Sequence, residues 1–218
     1  MISTVLFDMD GTLIDSEPLS ARAWRHVGDA HRAPVTDELI RSFVGRPLHT
    51  IMGMLADQVG SRELADAIYA DYRVYKAELY DRELALKPHV AEALAALEDA
   101  GLRMAVATSS GREITTRNLE RLGILSYFEG LTTGDEVENG KPSPDIYLLA
   151  CERMGAEPAS CAVVEDSVNG VRAGHAAGCP VFMVPDLTEP DDGLRTLCRA
   201  VIPDMGELLG AIAEVNGR

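Results

Sequence analysis

Met1-Ile2-Ser3-Thr4-Val5-Leu6-Phe7-Asp8-Met9-Asp10-Gly11-Thr12-Leu13 is the stretch on which the reading of this chain turns. A β-prone apolar run stops abruptly in two aspartates two residues apart, followed by Gly and Thr. A buried strand that delivers carboxylates at its C-terminal end is how an open α/β sheet builds a site. If the strand runs on through Asp8 and Asp10, their side chains share a face, because side chains alternate with period two. Carboxylates held that close repel, so a divalent cation or a shared proton has to compensate. Solvated acids in a turn are the plain alternative, since Asp and Gly are ordinary turn residues.

Outward from this stretch the pattern changes. From about Asp15 to Leu84 the periodicity is helical. Leu19, Ala23 and Val27 recur at four-residue spacing beside Trp24. Thr36-Asp37-Glu38 opens a second helix carrying Leu39, Ile40 and Phe43, with Gly45 as its stop. Pro47 suits the first turn of a third, and Ser61-Arg62-Glu63 begins a longer fourth. Residues 15–85 therefore read as a small helical domain inserted behind the first strand.

From Leu86 the rhythm becomes strand, helix, strand. The expected strands are Leu102 to Ala107, Phe128 to Thr132, Cys161 to Val164, Pro180 to Val184 and Ala200 to Ile202. Between them run helices stopped by Gly101, Gly123 and Gly178. Ser143 reads as an N-cap and Pro144 as the first helical residue after it. Alternation of this kind predicts an α/β fold: a Rossmann-like parallel sheet with right-handed crossovers, formed by 1–14 and 86–218, bearing the helical cap of 15–85.

Composition bounds the function. Of 218 residues, 20 are Lys or Arg and 35 Asp or Glu, a net charge of −15 that disfavours a nucleic-acid partner. A phosphorylated small substrate would have to be held locally, by individual cations or a metal. The apolar start lacks a basic n-region, and no run of eighteen apolar residues occurs, so neither a secretory signal nor a membrane span is expected. Cys151, Cys161, Cys179 and Cys198 have no metal-type spacing and read as reduced thiols of a cytoplasmic protein. His26, His31, His49, His89 and His175 likewise match no metal-ligand spacing. Oligomeric state leaves no mark in the sequence.

Three expected strands end in polar residues: Asp8 and Asp10, Thr108 and Ser109, Glu165 and Asp166. In a parallel sheet all C-terminal strand ends share one edge, and the loop bearing Lys141 reaches it too. Carboxylates, hydroxyls, helix-start amides and one lysine suit Mg²⁺ together with a phosphoryl group. In this order the motifs Asp8-Met9-Asp10-Gly11-Thr12-Leu13 with Asp15-Ser16-Glu17, Thr108, Gly140-Lys141-Pro142-Ser143-Pro144-Asp145 and Glu165-Asp166-Ser167 resemble the haloacid-dehalogenase superfamily. The pattern is close to the branch of β-phosphoglucomutase-like enzymes and sugar phosphatases with a helical cap, and the resemblance covers essentially the whole chain.

The resemblance implies a Mg²⁺-dependent phosphatase acting on a small phosphorylated metabolite, a sugar phosphate foremost. Asp8 would be the nucleophile that forms an aspartyl-phosphate, and Asp10 the general acid and then base. Mg²⁺ would sit between Asp8, the Asp10 carbonyl and Asp166, with Glu165 bound directly or one step removed. Thr108 and Lys141 would grip the phosphoryl oxygens. Ser109 and Ser110 either donate to phosphate or cap the next helix. Glu17 and Arg46 are the candidate substrate contacts of the cap, against the readings of a helix cap and a solvated arginine. Trp24 and Tyr72 read as cap core.

Two departures from the family pattern matter. Ser20 stands where β-phosphoglucomutases carry a histidine, which favours hydrolysis over the alternative of a phosphomutase. Lys87-Pro88-His89-Val90 stands where relatives have Pro-Gly-Val. A dehalogenase would need neither Asp10 nor a metal site, a phosphonate hydrolase lacks the second aspartate, and a non-catalytic binding protein would have lost part of the set. Here the set is intact.

Overall fold

The structure is a computed structural model and describes residues 1–44, 46 and 48–217. The helix stop expected at Gly45 and the helix start expected at Pro47 lie outside the described residues. Contacts divide the chain into two compact units, one of 1–14 with 86–218 and one of 15–85.

In the first unit six strands, β1 (Thr4–Phe7), β2 (Arg103–Thr108), β3 (Gly130–Thr133), β4 (Cys161–Glu165), β5 (Val181–Met183) and β6 (Ala200–Val201), form one parallel sheet. Their order is β3-β2-β1-β4-β5-β6. The central strand β1 is buried on both faces, and its Leu6 aligns with Ala105 of β2 and Val163 of β4. Uninterrupted apolar runs such as Val5-Leu6-Phe7 and Ala162-Val163-Val164 are what a doubly covered parallel strand needs. The order turns outward in opposite directions from β1, so the crevice beyond the C-terminal ends of β1 and β4 is the topological switch point.

Helices α5 (Val90–Asp99), α6 (Arg112–Arg121), α7 (Asp145–Met154), α8 (Val168–Ala176), α9 (Asp192–Arg195) and α10 (Leu208–Val215) complete this unit. The short α9 has too little periodicity to be seen in the sequence. One apolar cluster joins Leu6, Val163 and Val181 of the sheet to Ile146 and Tyr147 of α7 and Val171 of α8. Pro144, not Ser143, is the N-cap of α7. The Ser143 hydroxyl donates to the Asp145 carboxylate at 2.5 Å. His89, before α5, adopts φ 62°, a left-handed conformation that glycine takes without strain.

The second unit contains α1 (Glu17–Ala30), α2 (Asp37–Phe43), α3 (Leu48–Val59) and α4 (Arg62–Glu83). Thr36 and Ser61 cap α2 and α4 with their hydroxyls, as their sequence context requires. Trp24 stacks on Tyr72 with centroids 3.9 Å apart, inside an apolar cluster with Leu55 and Ile68. Among the described residues no helix is long and apolar enough to cross a membrane.

Candidate active site

The strand β1 stops at Phe7, so alternation along it does not orient Asp8 and Asp10. A tight turn does so instead. Leu13 and Ile14 both donate their N–H groups to Met9 O, and Gly11 sits at φ 81°. That turn presses against β4's end: a Cβ on Gly11 would lie 2.4 Å from Asp166 Oδ2. Any side chain here would evict the carboxylate. Thr12, next in line, donates its hydroxyl to Asp166 Oδ1 at 3.1 Å. Thr12 was not singled out in the sequence, although it lies inside the quoted motif two residues beyond Asp10.

Asp8 follows β1 directly, and its N–H continues the pairing with Val164 O at 3.0 Å. Its Oδ1 accepts from Lys141 Nζ at 2.6 Å. The same ammonium donates to Glu165 Oε1 at 2.6 Å and to the Ala107 carbonyl at the end of β2 at 3.2 Å. Thus the loop after β3 delivers its lysine to β1, β2 and β4 at once. Burial works to lower the Lys141 pKa, but the Asp8 and Glu165 carboxylates outweigh it and hold the ammonium well above the usual lysine range.

Glu165 is fully buried and has both oxygens engaged. Its Oε1 accepts from Lys141 and, at 3.0 Å, from the Tyr147 hydroxyl. Oε2 accepts from the N–H groups of Asp166 and Ser167 and from the Ser167 hydroxyl, each at 3.0 Å. Burial pushes this carboxyl up, yet Lys141 and these donors hold it below its ordinary range. Gly170 of α8 makes the space, because a Cβ there would fall 1.6 Å from Oε1. Neither Tyr147 nor Gly170 was marked as a site residue from sequence, since one reads as core and the other as a helix residue.

The remaining predicted residues divide in two. Thr108 is buried at the end of β2 and its hydroxyl accepts from Ser110 N–H at 3.1 Å. The Ser110 hydroxyl donates to Asp10 Oδ2 at 2.7 Å, a role different from both readings of that serine. Ser109 is exposed. Glu17 and Arg46 belong to the other unit, Glu17 in the first turn of α1 and Arg46 exposed with its Nε donating to Ser42 O at 2.7 Å.

Oxygens of Asp8, Glu165 and Asp166 all lie within 4.8 Å of one another. Burial, then Glu165 and Asp8, push Asp166 well above the usual carboxylate range. Burial also raises Asp8, to about 7, against the opposing pull of Lys141. One ammonium does not balance this much negative charge, and a group of carboxylates this close could hold a metal ion, with Asp8 and Asp166 keeping oxygens for it while Glu165 has both engaged.

Fold and site together define the class, and comparison with known families agrees. The model of the haloacid dehalogenase-like hydrolases matches residues 5–184, and the chain belongs to that family. It is an enzyme, a hydrolase, and the curated relatives it resembles include phosphatases. The phosphorylated carbohydrates phosphatase of Thermotoga maritima is 34% identical over 81% of this chain and 82% of its own. Validoxylamine A 7'-phosphate phosphatase of Streptomyces hygroscopicus subsp. limoneus is 34% identical over 95% of this chain and 96% of its own. Among solved structures, CbbY of Rhodobacter sphaeroides in complex with phosphate superimposes with a TM-score of 0.79 at 28% identity, covering 97% of this chain and 99% of that one.

Proposed function

We propose that the chain is a Mg²⁺-dependent phosphomonoesterase for a small phosphorylated metabolite, a sugar phosphate foremost. The observation that carries this reading is the under-neutralised cluster in which Lys141 bridges Asp8 and Glu165 beside Asp166. Relatives named for phosphorylated carbohydrates and for validoxylamine A 7'-phosphate support a small phosphorylated substrate.

Lys141 holds Asp8 Oδ1, so Oδ2 is the oxygen that attacks phosphorus as the ester bond to the leaving alcohol breaks. Asp10, oriented by Ser110, gives that alcohol its proton and then takes one from the water that cleaves the aspartyl-phosphate. Thr108 supplies a donor to the phosphoryl oxygens, and Lys141, whose three N–H groups are engaged by Asp8, Glu165 and the Ala107 carbonyl, sets its positive charge beside them, where negative charge spreads in the transition state. Asp8, Asp166 and the Asp10 carbonyl would hold Mg²⁺, which offsets the repulsion between Asp8 and the incoming phosphate. Glu165, with both oxygens taken, anchors Lys141 and the 166–167 turn instead of the ion. Glu17 and Arg46 are proposed as substrate contacts. The phosphomutase alternative has less support, because the Ser20 hydroxyl at the family's histidine position is bonded to the Tyr72 hydroxyl at 2.8 Å.

The test is phosphate release from a panel of sugar phosphates, nucleotides and phosphoglycolate, with and without Mg²⁺, beside Asp8→Asn. Release that needs Mg²⁺ and disappears in the variant is expected. Conversion of β-glucose 1-phosphate to the 6-phosphate without release would install the mutase, and undiminished release by Asp8→Asn would overturn the mechanism.

A further inference from the structure

The Lys141 ammonium meets two carboxylates at the same distance, 2.6 Å to Asp8 Oδ1 and 2.6 Å to Glu165 Oε1. Only the first belongs to a group with a reaction to perform. An ammonium between two acceptors moves toward the one carrying more uncompensated charge, so whatever else loads those oxygens sets its position. On Glu165 Oε1 that load is the Tyr147 hydroxyl at 3.0 Å. The ring of the same tyrosine lies under Lys141, with Nζ 4.9 Å from its centroid.

Tyr147 is fully buried on α7 among the apolar residues that join this helix to the sheet. Phenylalanine would fill nearly the same volume. A hydroxyl in such a place costs stability unless it finds a partner, and the partner it finds is the carboxylate that competes for Lys141. Burial pushes the phenol well above the usual tyrosine range, so it remains a donor.

We propose that Tyr147 is a positioning residue: its hydroxyl draws charge off Glu165 Oε1, leaving Lys141 divided toward Asp8, while its ring closes the remaining side of the ammonium. It touches neither substrate nor the reacting atoms. Without the hydroxyl, Oε1 keeps the ammonium alone of its two donors, Lys141 is drawn toward Glu165, and its hold on Asp8 weakens. The consequence for turnover rests on the reading of Asp8 as nucleophile; the consequence for Lys141 does not.

Tyr147→Phe separates the hydroxyl from the ring and keeps the packing. The chain has three lysines, Lys76, Lys87 and Lys141. Protein grown on lysine labelled with ¹⁵N at Nζ therefore gives a sparse spectrum, in which Lys76→Arg and Lys87→Arg identify Lys141 by elimination. In Tyr147→Phe, without substrate or metal, the Lys141 Nζ shift should move while the other two stay. With substrate, kcat should fall roughly tenfold, the scale of one charge-assisted hydrogen bond, with KM changed less than about twofold. A Lys141 signal that stays in place overturns the proposal, whatever happens to the melting temperature. So does a shifted signal with unchanged kcat. If the unaltered protein releases phosphate from nothing in the panel, the phosphatase reading fails while the nitrogen shift still decides how Lys141 is held.

Discussion

Glu165 at the end of β4 and Glu136 just beyond β3 stand on the same edge of the sheet and are bonded in much the same manner. Each takes a local N–H and hydroxyl: Glu136 those of Thr133, both at 2.9 Å, and Glu165 those of Ser167, both at 3.0 Å. The difference lies in the cations. Glu136 meets two guanidiniums, Arg153 at 3.0 Å and Arg112 at 2.6 Å, and the Arg153 bond above all holds it down to about 2. Glu165 shares its ammonium with Asp8, and burial first, then the neighbouring carboxylates, raise Asp8 to about 7 and Asp166 well above its ordinary value. A carboxylate neutralised in place is a brace between loops. The same device left short of positive charge is a site that a metal and a phosphoryl group can complete.

The largest effect should come from Lys141→Met, which removes the ammonium that bridges the deficient cluster. Leaving Asp8 and Glu165 buried without it costs about 3–5 kcal/mol of stability. Phosphate release should drop by roughly 10²–10³ or more, the scale of losing one preorganised donor to the transition state. A variant that unfolds at an unchanged temperature in a thermal melt would show that the cluster carries its charge another way. Next comes Gly170→Ala. The added Cβ would sit 1.6 Å from Glu165 Oε1, so either α8 or the carboxylate has to move. A loss of about 1–3 kcal/mol, the usual result of overpacking, should accompany reduced turnover. Full activity in Gly170→Ala would mean that the exact seat of Glu165 is immaterial.

The comparison also separates what could be read in the sequence from what could not. The parallel sheet, the inserted helical stretch and the convergence of Asp8, Lys141 and Asp166 follow from apolar runs, turn residues and the rule that parallel strands end on one edge, whereas the strand order does not. Those signals are local or topological. Tyr147 and Gly170 were invisible for the opposite reason. One is an apolar-looking residue on a helix face and the other a helix glycine, and each acquires its role only through a partner on another element. Ser110 shows the same limit: its position after β2 was legible, but its choice of Asp10 over phosphate or a helix amide depends on where the turn at Gly11 sets that aspartate. His89 in a left-handed conformation was foreshadowed by the missing glycine, although nothing local fixes the angle.

Metal binding sharpens the contrast further. Mg²⁺ at one hundred times its dissociation constant should stabilise the folded protein by about 2.7 kcal/mol. Asp166→Asn should abolish that increment, since the amide removes charge from the deficient cluster. A thermal melt in EDTA against one in Mg²⁺ reads the difference, and an increment retained by Asp166→Asn would move the metal elsewhere.

Glu136→Gln should have the smallest effect, and its pH dependence is the informative part. The Glu136 carboxyl is held at about 2 in the folded chain against 4.5 for the free side chain. Its contribution is therefore complete above 4.5 and is lost as pH falls from 4.5 toward 2. The cluster is partly exposed, so solvent screening limits that contribution to about 1 kcal/mol. Melting curves of the variant and the parent should differ at neutral pH and converge as the solution is acidified, while phosphate release at neutral pH and the Mg²⁺ increment stay as in the parent. If Glu136→Gln instead lost turnover to the degree of Gly170→Ala, the brace beyond β3 would be part of the machinery that places Lys141, and the division between a neutralised and a deficient carboxylate would not be one between structure and chemistry.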